Sequence, residues 1–221
     1  MTTSRTFAIG DIHGCNTTFR LLLQQLALQP GDVLYCLGDY IDRGPDSKGV
    51  IDTILELREK GYTVHTLRGN HEQLLIEAVE SPYAVPLWIR NGGDATLKSF
   101  GIKRVTDLPA PYLDFFHQTE DYLVAGNVIL VHAGLNFSID DPFEDHYAML
   151  WTREPFVDGQ WLGNRIVVHG HTPTPLERIR QQTGPVYNID GGCVYNKKGY
   201  GNLVAINLQA KELIVQPSAE K

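Results

Sequence analysis

Cysteine is scarce in this 221-residue chain. The three present, Cys15, Cys36 and Cys193, form no C-x-x-C pair and cannot all be paired within one chain. Neither a disulfide framework nor a structural zinc site is indicated, and buried thiols are expected. Long hydrophobic runs are missing too. No stretch approaches the length that spans a bilayer, and the N-terminal "MTTSRTF" lacks the apolar core of a signal peptide. The expectation is a cytoplasmic protein without a membrane partner. Runs of Lys and Arg are absent, and a formal net charge of −7 opposes nonspecific attraction to nucleic acid. There is no internal repeat and no low-complexity segment. At 43% hydrophobic, residues 1–221 can bury a full core and read as one enzyme-sized catalytic unit.

What is present alternates. "NTTFRLLLQQLAL" offers Asn16 as a helix N-cap and places Phe19, Leu22, Leu23 and Leu26 on one face. "SKGVIDTILELREK" repeats that spacing through Val50, Ile54 and Leu57, with Gly61 where a C-cap glycine belongs. The runs "VLYCL" and "YTVHTL" read as short strands. Strands alternating with helices predict βαβ units, a largely parallel sheet, and ligands at the carboxyl ends of its strands. Residues 74–120, broken by Pro82, Pro86, Gly92-Gly93, Pro109 and Pro111, read as a helical cap rather than a second domain. From Tyr122 the pattern turns to β, with a hairpin around Gly126-Asn127 and then "RIVVHGHT", "VYNIDGG", "NLVAINL" and "ELIVQ".

Five expected strand ends carry a glycine-containing turn rich in Asp, Asn or His: "GDIHG", "GDYIDRG", "RGNHE", "VHAG" and "VHGHT". One such turn is ordinary; five in succession are what a convergent metal or catalytic site requires. Asp11 and His13 stand two apart, so they share a face if the chain stays extended, and they would hold one divalent cation. Asn70, His132 and His171 would hold a second, with Asp39 bridging both. Mixed oxygen and imidazole ligation suits manganese, iron or zinc better than calcium. Two ions about 3.5–4 Å apart clamp phosphate oxygens and activate a bridging hydroxide for in-line attack. The chemistry is hydrolysis of a phosphate ester or anhydride. His71 is the expected general acid, oriented by Asp42, while Arg43 and Arg153 would fork onto phosphoryl oxygens. His169 is a neighbour of, or an alternative to, the preferred ligand His171. His65, His117 and His146 lie outside the motifs and are expected to be packed or solvated.

With these motifs assembled, the chain resembles the phosphoprotein-phosphatase family of serine/threonine phosphatases, within the calcineurin-like metallophosphoesterases, in the compact form of bacterial and phage members. The resemblance implies an α+β fold with a central β-sandwich flanked by helices, rather than one doubly wound sheet. It also implies two divalent ions, manganese foremost, on Asp11, His13, Asp39, Asn70, His132 and His171. The acid pair falls on His71 and Asp42 and the phosphate-binding arginine on Arg43, and "LWTRE" resembles a segment that supplies a further arginine, here Arg153. A phosphorylated protein or peptide is the implied partner and phosphate the product. A competing resemblance is to symmetrical diadenosine tetraphosphate hydrolases, which share the first motif, a segment like "WIRNGGDATLKSFG" and the GHT ending. Asp42, and Glu72 after "GNH", favour the phosphatase. An inactive metal-binding module should lack a ligand or the acid, and neither is missing. Oligomeric state is not legible.

Overall fold

The structure, a computed structural model, describes residues 4–153 and 157–220. Residues 1–3 of the N-terminal stretch and Glu154 of "LWTRE" lie outside the described residues. The strands, in chain order, are β1 (Thr6–Ile9), β2 (Val33–Cys36), β3 (Thr63–Thr66), β4 (Tyr122–Ala125), β5 (Val128–Val131), β6 (Ile166–His169), β7 (Val186–Asn188), β8 (Asn202–Asn207) and β9 (Glu212–Pro217). They form two sheets, ordered β3-β2-β1-β8-β9 and β4-β5-β6-β7. Within each, three strands run parallel, β1 with β2 and β3, and β5 with β6 and β7. The remaining pairings are antiparallel.

Side-chain alternation explains the layering. Phe7 and Ile9 of β1 and Leu203 and Ala205 of β8 face the helices, whereas Ala8, Val204 and Ile206 face the second sheet. There they meet Val128 and Leu130 of β5 and Ile166 and Val168 of β6. Ile129, Val131 and Val167, on the outer face of the second sheet, pack with Met149 and Leu162. The result is a β-sandwich flanked by helices. One largely parallel sheet, as periodicity alone predicts, is therefore wrong: alternation identifies strands but not their partners, and β8 and β9 join the first sheet antiparallel.

On the first sheet lie α1 (Asn16–Leu26), α2 (Ser47–Glu59), α3 (Asn70–Glu80), α4 (Val85–Trp88), α5 (Asp94–Phe100) and α6 (Ala110–His117). Leu74, Trp88 and Phe115 share one hydrophobic cluster with Phe19 and Ile54. The helices of 74–120 thus continue the layer built by α1 and α2. The expected N-cap moves by one residue: Cys15 holds the N-cap position of α1 without a side-chain capping bond, and the Asn16 amide is drawn away to Asp46 and Thr53. Gly61 follows α2 with φ +84°, the left-handed exit that glycine permits. The second sheet is flanked by α7 (His146–Trp151), α8 (Gly159–Leu162) and α9 (Leu176–Gln181). No helix among the described residues is long and apolar enough to cross a membrane.

Candidate metal centre

The register aligns the carboxyl ends of both parallel triplets. Ile9 pairs with Cys36 and Cys36 with Thr66, so the loops carrying Asp11 and His13, Asp39, and Asn70 and His71 leave the first sheet at one level. His132 follows β5 and His171 follows β6 from the second sheet. The sheets are tied at this end by side chains of the site itself. The backbone N–H of His171 donates to both Asp11 carboxylate oxygens at 3.1 Å, and His132 Nδ1 lies 2.9 Å from the Leu37 carbonyl.

Backbone strain is concentrated here. Seven non-glycine residues among those described have positive φ, and His13, Asp39, Asp42, Arg43 and His171 are five of them. Such conformations cost roughly 1–3 kcal/mol each and persist where surrounding bonds fix them. For Asp39 that bond network is Glu72, whose buried carboxylate accepts from the N–H groups of Asp39 (2.7 Å), Tyr40 (2.9 Å) and Gly69 (2.9 Å). The positive φ of His13, 47°, also corrects the sequence argument for its direction. Asp11 and His13 reach the site through a left-handed turn, not as alternate residues of an extended strand.

Two groups of ligand atoms share Asp39. His13, Asp39 and His71 each offer one atom within 4.8 Å of the others, as do Asp39, His132 and His171. Asp39 Oδ2 is 3.4 Å from His13 Nε2, and Oδ1 is 3.5 Å from His132 Nε2. Asn70 Oδ1 joins the second group, 3.1 Å from His132 Nε2 and 2.9 Å from His171 Nδ1. His169 is buried but turns Nδ1 to the Gly170 carbonyl and lies outside both groups.

The donor set fits divalent cations. Nδ1 of His13 faces the Ile41 carbonyl and Nδ1 of His132 the Leu37 carbonyl, so each Nδ1 carries the proton and each Nε2 presents a lone pair. Burial lowers the pKa of both histidines and takes that of His171 to about 3, leaving all three rings neutral and able to ligate. Acceptors of His132, Asn70 and Asp39 then converge beside His171 Nδ1. Buried carboxylates add to the cluster. Burial, Asp190 and Asp39 push the Asp11 pKa well up, and burial takes Asp190 to about 7. Such packing of acids is accommodated by protonation or by a cationic neighbour, and a divalent cation would supply the latter.

His71 behaves differently. Burial opposes its charge, but Asp39 and Asp42 outweigh that and raise its pKa above the usual value. Its Nδ1 is 2.7 Å from Asp42 Oδ2, while its buried Nε2 has no hydrogen-bond partner among the described residues and lies 3.9 Å from Asp39 Oδ2. Asp42 is itself fixed by Trp88 Nε1 (3.0 Å) and Thr96 Oγ1 (2.6 Å), and its N–H donates to Thr96 and Ser47. With Nδ1 engaged by Asp42, Nε2 is the ring atom turned toward His13 and Asp39, placed either to carry a proton or to join them as a ligand.

The arginines lie at the rim. Arg43 is exposed, with Nη1 2.6 Å from His13 Nε2, and its N–H donates to the carbonyl of Gly92. A Cβ on Gly92 would meet the Arg43 backbone nitrogen at 2.9 Å, so this contact requires glycine. Arg153 is exposed and close enough to lower the His171 pKa electrostatically. The Trp151 ring lies 6.2 Å from that of His171. His65 stacks on Tyr35, His117 is exposed and His146 bonds Asp121.

Sequence reasoning missed Asp190, and it assigned no role to Trp88 or Thr96. The strand-then-"DGG" pattern after β7 was the available signal for Asp190. Nothing local marks Trp88 and Thr96, which stand 46 and 54 residues from the carboxylate they hold.

A sandwich with ligand clusters at the carboxyl ends of both sheets defines a metal-binding phosphoester hydrolase. The profile of the calcineurin-like phosphoesterase family matches residues 4–200, and the chain belongs to that family. It is 31% identical over 199 residues to serine/threonine-protein phosphatase 1 of Salmonella typhimurium, covering 86% of this chain and 87% of that one. It is 27% identical to the asymmetrical bis(5'-nucleosyl)-tetraphosphatase PrpE of Anoxybacillus flavithermus, covering 95% and 93%. A Saccharomyces cerevisiae protein serine/threonine phosphatase superposes with a TM-score of 0.68 at 17% identity, covering 99% of this chain and 81% of that one.

Proposed function

We propose that this metallophosphoesterase hydrolyses phosphoserine or phosphothreonine monoesters of proteins. The carrying observation is the His71–Asp42 pair, 2.7 Å apart and buried, set among three neutral histidines. An alkoxide leaving group needs a proton more than an aryl or phosphate leaving group does, and this pair keeps one available. Asp11, His13 and Asp39 would hold one ion, and Asp39, Asn70, His132 and His171 the other. Manganese suits this mixture of carboxylates and imidazoles, and iron or zinc would also be accepted. Two divalent cations, when bound, supply Lewis acidity toward phosphoryl oxygens and lower the pKa of water. Arg43 and Arg153 then grip the remaining phosphoryl oxygens, and His71 Nε2 delivers its proton to the departing serine or threonine oxygen. Buried free thiols support a cytoplasmic setting.

The dinucleotide reading shares the segment from Trp88 to Gly101 with symmetrical diadenosine tetraphosphate hydrolases. In this chain Trp88 and Thr96 face Asp42 and Gly92 faces Arg43. That segment therefore supports the acid and the phosphate clamp, work that either substrate needs, and gives no preference for a nucleotide. With manganese added to chelator-stripped protein, kcat/KM for a phosphothreonine peptide should exceed that for diadenosine tetraphosphate by about 100-fold. The opposite preference would sink the proposal.

A further inference from the structure

Beside the metal centre lies a cavity of about 710 Å³ whose wall carries Arg43, Lys98, Tyr195, Lys197 and Tyr200. None of the six metal-ligand candidates lines it, nor does the acid pair. Arg43 belongs to both spaces: Nη1 is 2.6 Å from His13 Nε2, while the guanidinium carbon is 6.0 Å from the centre of the Tyr195 ring. A phosphoryl group gripped by Arg43 would therefore hold its substituent at the mouth of this cavity. Lys197 Nζ lies 5.2 Å from the Tyr200 ring centre, so amine and ring form one face.

Charge makes the cavity unusual. The chain has 19 Lys and Arg against 26 Asp and Glu, yet this wall sets three cations against the two carboxylates of Asp94 and Glu220. Glu220 is engaged by the Thr18 backbone N–H at 2.9 Å and its hydroxyl at 3.1 Å. Neither Lys98 nor Lys197 pairs with a carboxylate among the described residues.

We infer that this cavity is a specificity subsite for a second anionic group, carboxylate or phosphate, carried by the substrate's leaving group, with Lys98 and Lys197 as its counter-charges. The inference rests on phosphoester hydrolysis at the neighbouring centre as proposed above. An acidic side chain beside the phosphorylated residue and a further phosphate of a polyphosphate chain offer the same chemistry, and substrates separate them.

The test uses the manganese-loaded full chain and three substrates: a phosphothreonine peptide with acidic flanks, the same peptide with alanine flanks, and diadenosine tetraphosphate. In the Lys98→Ala/Lys197→Ala variant, KM for the acidic peptide should rise about tenfold, the scale of two exposed charge pairs. Its kcat, and both constants for the alanine peptide, should stay unchanged. Arginine at both positions should restore KM. Equal KM for the two peptides in the wild type, or an equal rise for both in the variant, overturns the subsite. Turnover of the dinucleotide alone, with a raised KM in the variant, keeps the subsite with phosphate as its anion and removes the phosphoprotein reading. No turnover of any of the three by the wild type removes the hydrolase reading and the subsite with it.

Discussion

Beyond the shared Asp39, the ligand set proposed around His13 adds a second carboxylate, Asp11, with the charge of Asp190 acting on it, whereas Asn70, His132 and His171 bring no charge of their own to the other. The anionic group touches Arg43, an exposed side chain that also lines the neighbouring cavity. In the other group Asn70, His132 and His171 are buried, and the His132 ring is fixed by a carbonyl from the opposite sheet. Burial and a backbone anchor are common to both groups, since His13 is buried and its Nδ1 faces the Ile41 carbonyl, so the groups differ in charge and in contact with an exposed arginine. Higher charge and an exposed arginine set the first apart as the side from which a substrate would be gripped. Removing charge should therefore weaken the first group selectively, and only Asp39 should disturb both.

The largest effect expected is from Asp39→Asn, since each of its oxygens faces a different group. Both equivalents of manganese should bind more weakly and kcat should fall by ~1,000-fold or more. Metal analysis after gel filtration, run beside turnover, reads both quantities. Retention of two full equivalents with normal turnover would mean that the two groups are not joined through Asp39.

His71→Asn asks whether the protonated ring is set apart from the neutral ligands around it. Two manganese equivalents should remain, while hydrolysis of an alkyl phosphate falls ~100- to 10,000-fold and that of p-nitrophenyl phosphate much less. Equal slowing of both, or loss of an ion, would make His71 a ligand of the first group. The pH profile sharpens the same point. As the proposed acid His71 would act in its protonated form, so activity toward alkyl phosphates should fall as pH rises through its pKa, which Asp39 and Asp42 raise against the effect of burial. Asp42→Asn removes one of the stabilising carboxylates, so the alkaline limb should move to lower pH, with ~10- to 100-fold lower activity above it. An unmoved limb would show that Asp42 does not set the proton affinity of His71.

Local pattern carries the ligands far better than it carries their support. Asp11, Asp39, Asn70, His132 and His171 each stand within four residues of the end of a short strand, so a run of β-formers stopped by a glycine-containing turn points to them. Asp42 and His71 share motifs with ligands and are visible for that reason. Trp88 and Thr96 act on Asp42 across a proline- and glycine-broken stretch, and such distant pairings leave no periodic trace. The sandwich itself illustrates the same limit. β8 reads as a strand from "NLVAINL", but that β1 takes it antiparallel, while β5 to β7 form a second sheet, depends on pairing that alternation does not encode. Left-handed turns at His13, Asp39 and His171 are equally silent, because none is a glycine.

The smallest effect, and the finest probe of the difference between the groups, should come from Asp190→Asn. Asp190 follows β7, accepts the Gly192 N–H at 2.8 Å, and stands foremost among the charges that raise the Asp11 pKa. The asparagine keeps an oxygen for Gly192, so the loop after β7 should hold its shape, and only a negative charge is lost. If that charge belongs to the first group, the weaker of two manganese sites should lose affinity about tenfold, within the range for partners of metal ligands. The tighter site, built on neutral ligands, should be unchanged. Equilibrium dialysis over a manganese series resolves the two steps. Equal weakening of both sites would mean that the field of the buried acids is shared across the centre, and the contrast in charge between the two groups would fail.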